Sequence, residues 1–152
     1  MSEKIDFAAL NSSAIAQFRA NAGQIDTLLG IPIWYPILLL TSVGAKSGKT
    51  RVNPLIYHTD GDRLIVFGSR HGAPTHPDWY YNLVAHPEVT VEVGTEVWAV
   101  TAQTAVGPER DRLWADAVAK YPFLAELQAE TTRQFPVVIL QRHQEGPPSA
   151  PN

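Results

Sequence analysis

The sequence contains no cysteine, and this absence excludes several kinds of site at once. Disulfide frameworks, thiolate nucleophiles and thiolate zinc sites all require that residue. Charged residues make up only 18% of the 152 residues, and the formal net charge is −3. Such a weak acidic balance gives no basis for a general nucleic-acid binder or for attraction to an anionic membrane surface. Any anion site in this chain therefore has to be local.

Long uninterrupted apolar runs are also missing. The longest nearly uncharged stretch, residues 27–45, is interrupted by Pro32 and Pro36. Each proline removes a backbone donor and disturbs a helix, which argues against a membrane-spanning helix here. The N-terminus lacks the cationic segment and the long apolar run of a secretory signal. We therefore expect a cytoplasmic protein, with peripheral attachment to a membrane as the alternative.

Short apolar and alternating runs dominate what is present. They predict six mostly antiparallel strands, at 37–42, 51–59, 63–69, 88–94, 96–105 and 135–143. Helices are predicted at 12–30, 76–87 and 107–132, the first capped by Ser12 or Ser13 and stopped by Gly30, the last hinged at Pro122. This order predicts one mainly β (α+β) domain over residues 1–143, a small β-barrel with peripheral helices. The proline-rich tail 144–152 is expected to be disordered.

The segment SVGAKSGKT is the most distinctive local motif. A Walker A loop needs four residues between its first glycine and its Gly-Lys pair and opens into a helix, but Gly44 and Gly48 enclose three residues and a strand follows. The segment is therefore predicted to be a turn between two strands. Glycine-rich turns can direct backbone N–H groups toward an anion. This one carries the cations Lys46 and Lys49, and the cation Arg51 follows directly. An anion cradle and a plain solvated turn are both consistent with this spacing.

Pro54 interrupts the strand that follows this turn. Proline cannot donate to a strand ladder, so it is tolerated only at an edge or a bulge. The segment RVNP therefore marks an exposed edge. An edge beside a cationic turn, with Ser69 and Arg70 ending a nearby strand, suits a flat ring that carries a phosphate tail.

Other chemistry has less support in the sequence. His71 and His76 are five residues apart in a loop, but no further ligands can be assigned to them, so we expect no metal site. Ser69 lacks the Gly-x-Ser-x-Gly setting of a hydrolase nucleophile. Glu92 and Glu96 lie at a predicted hairpin and are expected to face solvent rather than to form a glycosidase pair.

Two stretches, residues 38–57 and 60–93, resemble the deazaflavin-dependent nitroreductase family, which uses coenzyme F420. The shared pattern is Gly44-x-Lys46-Ser47-Gly48-x-x-Arg51-x-Asn53-Pro54, joined to Asn82 in WYYNL and to the following HPEV. The set is specific, although each piece alone is weak. The resemblance extends from about Leu38 to about Arg142 and implies a small split β-barrel of the flavin-reductase and pyridoxamine-phosphate-oxidase type.

The resemblance also implies which residues bind the coenzyme. The cations Lys46 and Arg51 hold its phosphate, beside Ser47 and Gly48 of the turn. The deazaflavin ring lies against the strand, and the binding residues there are Asn53, Pro54, Leu55 and Ile56. Ser69 and Arg70 line the ring and its anionic tail, and Trp79 and Asn82 belong to the helix that closes over it.

The implied activity is hydride transfer from reduced F420 to an electron-poor acceptor, such as a quinone, an activated alkene or a nitro compound. Ser69 and Tyr121 are the catalytic candidates, with Tyr121 as a proton or hydrogen-bond donor to the acceptor; the alternative for Tyr121 is a packed tyrosine at a helix end. Leu124 and Leu127 are expected to share a helix face with Tyr121 and to favour quinones and enones over nitro compounds. An FMN-dependent oxidoreductase of related split-barrel type and a non-catalytic deazaflavin carrier are the alternatives.

Overall fold

A curled antiparallel sheet forms the body of the protein in the computed structural model, which describes residues 7–23, 27–28, 31–32 and 36–143. In chain order the elements are α1 (Phe7–Ala20), β1 (Thr27–Leu28), β2 (Ile31–Pro32), β3 (Ile37–Val43), β4 (Thr50–Ile56), β5 (His58–Asp60), β6 (Arg63–Phe67), a short 3₁₀ turn (Arg70–Gly72), α2 (Asp78–Ala85), β7 (Glu88–Val93), β8 (Glu96–Thr104), α3 (Gly107–Lys120), α4 (Phe123–Ala129) and β9 (Val137–Arg142). The strands β1 and β2 pair with each other, and the others form a seven-stranded sheet in the order β4-β3-β7-β8-β9-β6-β5.

The two edge strands of this sheet are neighbours in the chain. Only Tyr57 separates β4 from β5, yet they lie at opposite edges. The Tyr57 N–H donates to the carbonyl of Pro36 at 3.2 Å, next to β3, whereas His58 is paired with Ile65 of β6. Because one residue cannot cross a flat sheet of seven strands, the sheet has to curl until its edges meet. The predicted β-barrel with peripheral helices is confirmed, although the predicted strand 51–59 divides at Tyr57.

The short apolar runs of the sequence, such as residues 37–40 and 64–67, arise because both faces of several strands are covered. In β3, Leu38 and Leu40 join the interior cluster that α2 closes with Trp79. The side chain between them, Leu39, packs outward with Phe18 of α1. The same division holds in β6 and β9, where Leu64, Val66, Val138 and Leu140 join the interior cluster and Ile65, Phe67, Val137 and Ile139 pack with α3 and α4. Full burial of each such side chain contributes roughly 1.5–3 kcal/mol.

The N-terminal helix differs from its prediction. The helix α1 begins at Phe7, so Ser12 and Ser13 lie inside it and do not cap it. It ends at Ala20 instead of continuing to residue 30, and Thr27–Leu28 is a strand. The predicted stop at Gly30 lies outside the described residues.

Backbone geometry explains the early end of α1. Ala22 and Gly23 have φ values of 55° and 85°, and the Gly23 N–H donates to the Phe18 carbonyl at 2.8 Å, which closes the last turn. A Cβ on Gly23 would lie 2.4 Å from the Cα of Gly94. Only glycine therefore allows the helix end to approach the turn between β7 and β8.

The remaining helices agree better with the sequence. Trp79 and Leu83 of α2 are both buried, as their shared face predicts, and α3 and α4 separate at Pro122. Glu92, expected to face solvent, instead accepts two hydrogen bonds from the Arg19 guanidinium, at 2.8 and 3.1 Å, and ties α1 to β7. No described helix is long and apolar enough to cross a membrane. The single domain over residues 1–143 stays a prediction, and the expected tail 144–152 lies outside the described residues.

Candidate active site

A cleft of about 1590 Å³ lies along the edge strand β4. Its walls are the turn between β3 and β4, the loop between β6 and α2, α2 itself and α4. The predicted coenzyme-binding residues that line it are Lys46, Ser47, Arg51, Asn53, Pro54, Leu55, Ile56, Ser69, Arg70, Trp79 and Asn82. Two other predicted site residues, Gly48 and Tyr121, do not line this cleft. The fold thus gathers residues from three separate parts of the sequence at one edge.

The turn beside β4 is built by hydrogen bonds within itself. The Gly44 N–H donates to the Lys49 carbonyl at 2.8 Å, and the Gly48 N–H donates to the Gly44 carbonyl at 3.0 Å. The Ser47 Oγ accepts from the Lys49 N–H at 3.1 Å. Gly48 has φ 69°, a conformation that glycine adopts without strain, so its role is to form the turn. The predicted turn between two strands is confirmed.

Cations dominate the charge of the cleft. Lys46, Arg51 and Arg70 line it and are exposed, while Asp78 is the carboxylate among the described lining residues. Within the part of the chain that the structure describes, no carboxylate forms an ion pair with Lys46 or Arg51. Cations that lack such a partner on a concave surface attract an anionic ligand. The geometry therefore favours the anion cradle over the plain solvated turn.

Asn82 connects α2 to this turn. Its side chain is only 6% exposed. The Oδ1 atom accepts the Ala45 N–H at 2.9 Å, and Nδ2 donates to the buried Ser42 Oγ at 3.4 Å. Because the Ala45 N–H donates to Asn82, the backbone amide of Ala45 does not contribute to anion binding. Asn82 positions the turn on the barrel.

The strand β4 supplies a largely apolar wall of the cleft. Asn53, Pro54, Leu55 and Ile56 are half-buried and line it in succession. As an edge strand, β4 pairs with β3 alone among the described strands, which explains why a proline is tolerated inside it. Trp79 lines the same cleft from α2 and is almost fully buried. This combination suits a flat ring system, because planar apolar ligands bury well against such walls.

The α4 side of the cleft corrects one expectation. Leu124 and Leu127 line the cleft as expected, but Tyr121 is 3% exposed and its hydroxyl donates to the Tyr57 carbonyl at 3.3 Å. Since α3 ends at Lys120 and Pro122 precedes α4, Tyr121 does not share a continuous helix face with the leucines. The expected shared face is therefore wrong for Tyr121. Phe123 lines the cleft next to the leucines instead.

Several residues of the cleft had no signal in the sequence. Phe67, Thr75, Tyr81 and Phe123 line it, and the side chain of Arg133 holds the backbone of the loop that carries Ser69 and Arg70. A lone arginine before a strand looks like any solvated charge, so nothing in the sequence marks Arg133. Among the described residues, no group of three His, Asp or Glu could hold a metal ion.

The model of the F420H(2)-dependent quinone reductase family matches residues 12–142. The chain belongs to this family. It is an F420-dependent reductase, and its cofactor is coenzyme F420. The resemblance that the turn, strand and helix residues carry in the sequence is thereby confirmed.

Similar proteins agree with this membership. An F420H(2)-dependent quinone reductase of Mycobacterium tuberculosis, Rv1261c, is 36% identical over 137 residues, which cover 84% of this chain and 86% of the relative. A solved F420-H2 dependent reductase, FDR-A, is 42% identical with a TM-score of 0.64, over 70% of this chain and 94% of that one. A Listeria innocua chain described as a pyridoxamine 5′-phosphate oxidase is 14% identical with a TM-score of 0.52, over 88% of this chain and 93% of that one. This last similarity concerns the fold alone, and it confirms the predicted split-barrel type.

Proposed function

We propose that this reductase binds F420 along β4 and transfers its hydride to a quinone held against α4. The observation that carries the proposal is a single cleft that combines cations, a half-buried edge strand and an apolar helix wall. Cations suit the phosphate and the anionic tail, the strand suits the ring, and the helix suits an apolar acceptor. The cleft volume of about 1590 Å³ is large enough for two ligands of this kind.

The phosphate of the coenzyme is assigned to Lys46 and Arg51. Both side chains are exposed in the cleft, and no carboxylate among the described residues competes for them. The Arg51 guanidinium offers paired N–H donors that match phosphate oxygens, and Lys46 adds a compact charge. Arg70 receives the anionic tail. The turn that carries Lys46 keeps its shape without a ligand, because its own backbone bonds and Asn82 fix it.

The ring of the coenzyme is assigned to the wall of Asn53, Pro54, Leu55 and Ile56, with Trp79 closing it from α2. When bound, the reduced coenzyme supplies the hydride. The protein would contribute orientation and exclusion of water, since Trp79 is buried and the strand residues that would hold the ring are half-buried. Ser69, half-buried in the cleft wall, is the hydroxyl that we assign to hydrogen bonding with the acceptor.

The acceptor is assigned to the wall formed by Phe123, Leu124 and Leu127. Apolar surface buried there contributes on the order of 25 cal/mol per Å². Ring systems such as quinones and enones therefore gain more from this wall than small polar nitro compounds do. Tyr121 supports the wall from behind and is not assigned a contact with the acceptor.

The test is to mix the purified protein with reduced F420 and a soluble menaquinone analogue while following oxidation of the coenzyme by absorbance. Parallel reactions use reduced FMN in place of F420, and an enone or a nitroimidazole in place of the quinone. We expect F420 oxidation that is fastest with the quinone. Tight F420 binding without turnover would identify a carrier, and turnover with FMN alone would overturn the coenzyme assignment.

A further inference from the structure

We propose that Arg133 is a positioning residue that fixes the spacing between two walls of the cleft. One wall is the loop 68–76, which carries Ser69 and Arg70, and the other is α4. The proposal rests on the proposed function for what the two walls bind, but the contacts that support it are independent of any ligand. Arg133 itself does not line the cleft among the described residues, so it acts through the loop.

The guanidinium of Arg133 connects the two ends of the loop. Its Nε donates to the Ala73 carbonyl at 2.8 Å, and its Nη2 donates to the Ser69 carbonyl at 2.7 Å. Its Nη1 donates both to the Gly68 carbonyl at 2.9 Å and to Nδ1 of His76 at 2.8 Å. A guanidinium has five N–H groups in a fixed plane, so a single side chain can satisfy four acceptors. These acceptors span the whole loop.

The loop needs such a restraint because its backbone is strained. Gly72 adopts its φ of 79° without strain, whereas Arg70 has φ 43°, which is uncommon for a residue with a side chain. Conformations of this kind persist only where the surroundings determine them. The loop lies between β6 and α2, so hydrogen bonds between paired strands do not restrain its backbone. The Gly72 and Ala73 N–H groups bond within the loop to the Ser69 and Arg70 carbonyls. The Arg133 side chain adds four bonds that connect the loop to a distant segment, and it thereby sets where Ser69 and Arg70 lie.

The segment that carries Arg133 is held in turn by α4. Gln128 donates from Nε2 to the Arg133 carbonyl at 2.6 Å and accepts the Phe135 N–H through Oε1 at 2.9 Å. The Arg133 guanidinium also lies over the Phe135 ring, 4.7 Å from its centre. Near the end of α4, the carbonyl of Leu127 lies 3.4 Å from the position of a Cβ built on Gly72. The helix that forms the acceptor wall and the loop that carries Ser69 are therefore connected through Gln128 and Arg133.

His76 makes this connection sensitive to acid. Its Nδ1 accepts from Arg133 only when the ring is neutral with its proton on Nε2. The groups that face the ring are Arg133 and the aromatic rings of Tyr80 and Tyr81, at 5.3 and 5.8 Å between centroids. Burial, followed by the Arg133 charge, lowers the pKa of His76 below its ordinary 6.5, so the ring is neutral at pH 7. As the pH falls through this lowered pKa, the proton added at Nδ1 opposes the Arg133 donor and the contact is lost.

Arg133→Lys is the main test, because lysine keeps the charge but cannot donate to four acceptors in one plane. Arg110→Lys is the matched control. Arg110 is buried, whereas Arg133 is half-buried, and Arg110 donates to one backbone carbonyl, that of Phe135 at 2.8 Å. It lies over the Trp114 ring, outside the cleft. The readouts are the F420 dissociation constant from fluorescence, kcat and KM for the quinone, and hydrogen exchange of residues 68–76.

We expect Arg133→Lys to weaken F420 binding at least tenfold and to speed exchange of the loop, while Arg110→Lys changes neither. In the corresponding alanine variants, low millimolar guanidinium should restore part of the F420 binding that Arg133→Ala loses. It should restore none of the free energy of unfolding that Arg110→Ala loses. The parent should lose F420 affinity as the pH falls through the lowered pKa of His76, below 6.5, whereas His76→Asn, which keeps an acceptor near the Nδ1 position without titrating, should not.

Equal F420 affinity of Arg133→Lys and the parent, or equal loss in Arg133→Lys and Arg110→Lys, would overturn the positioning role. A parent protein that neither binds nor oxidises F420 would overturn the proposed function instead. The positioning role would then be judged by loop exchange alone, where unchanged protection in Arg133→Lys would overturn it.

Discussion

The turn beside β4 and the loop–α4 wall, which consists of loop 68–76 and α4, border the same cleft. The turn is held mainly by bonds between neighbouring residues, and the loop–α4 wall by bonds between distant ones. The turn forms mainly from neighbouring residues, because its backbone bonds link Gly44, Gly48 and Lys49, and Asn82 adds a bond from α2 to Ala45. The loop–α4 wall is assembled from distant segments, because Arg133 bonds to residues that precede it by 57 to 65 positions. A wall built locally should tolerate loss of its exposed side chains. A wall built from distant segments should lose its shape when one connecting residue is changed.

The largest effect is expected at the cationic turn. Lys46→Ala and Arg51→Ala should each weaken F420 binding by about 1–3 kcal/mol, because each removes a charge-assisted contact with the phosphate. Neither change should alter the free energy of unfolding by more than about 0.5 kcal/mol, since both side chains are exposed. Fluorescence titration and thermal melts measure the two quantities.

Lys49→Ala is the matched control for those variants. Lys49 belongs to the same turn and carries the same charge, but it does not line the cleft among the described residues. Its loss should leave F420 binding close to that of the parent. If all three variants bind equally well, the phosphate assignment is wrong; if all three bind equally poorly, the effect is one of general charge.

The next largest effect is expected at Asn82, which holds the turn in place but carries no charge. Asn82→Ala should lower the free energy of unfolding by about 1–3 kcal/mol, because it leaves the Ala45 N–H and the buried Ser42 hydroxyl without their partner. It should also weaken F420 binding, as the turn is no longer fixed to α2. Chemical denaturation beside the titration checks both. A variant that binds poorly but unfolds like the parent would mean that Asn82 contacts the coenzyme directly.

A smaller effect is expected at the acceptor wall. Leu127→Tyr should shift the ratio of kcat/KM for a nitroimidazole over that for a menaquinone analogue upward by roughly three- to tenfold, the equivalent of one added hydrogen bond. Leu127 is the better position for the tyrosine because it is half-buried. Leu124 is 4% exposed, so overpacking by a tyrosine there would lower the free energy of unfolding by about 1–3 kcal/mol.

Val97→Tyr is the control for the acceptor wall. Val97 is 68% exposed and does not line the cleft, so a tyrosine there adds the same group away from the acceptor. The substrate ratio of this variant should equal that of the parent. An unchanged ratio in Leu127→Tyr as well would show that α4 does not contact the acceptor.

The smallest effect is expected at Tyr121. Tyr121→Phe should lower the free energy of unfolding by about 0.5–1.5 kcal/mol through loss of the hydrogen bond to the Tyr57 carbonyl. The turnover number should not change, because the residue lies behind the wall. Steady-state kinetics decide the matter: a strong fall in kcat with unchanged F420 affinity would restore a catalytic role for Tyr121.

Much of the coenzyme side of the cleft could be predicted from the sequence, because its turn and its edge strand follow from short residue patterns. Glycine reaches the positive φ that a tight turn needs, which places a turn at Gly44 and Gly48, and Pro54 has a fixed φ and no N–H donor, which limits its strand to an edge. A turn and an edge strand follow from those limits alone. The course of α4 was less readable, because Pro122 separates Tyr121 from Leu124, and spacing on a continuous helix does not apply across that break.

The sequence by itself determined the antiparallel strands, the turn, the edge position of β4 and the family to which the chain belongs. Periodicity and backbone restriction act over a few residues, so they are visible in the chain. Only the tertiary structure decided that the strand 51–59 divides at Tyr57, that Phe123 lines the cleft in place of Tyr121, and that Arg133 holds the loop. Those features depend on contacts between residues far apart in the chain, and only the curled sheet brings such residues within hydrogen-bonding distance.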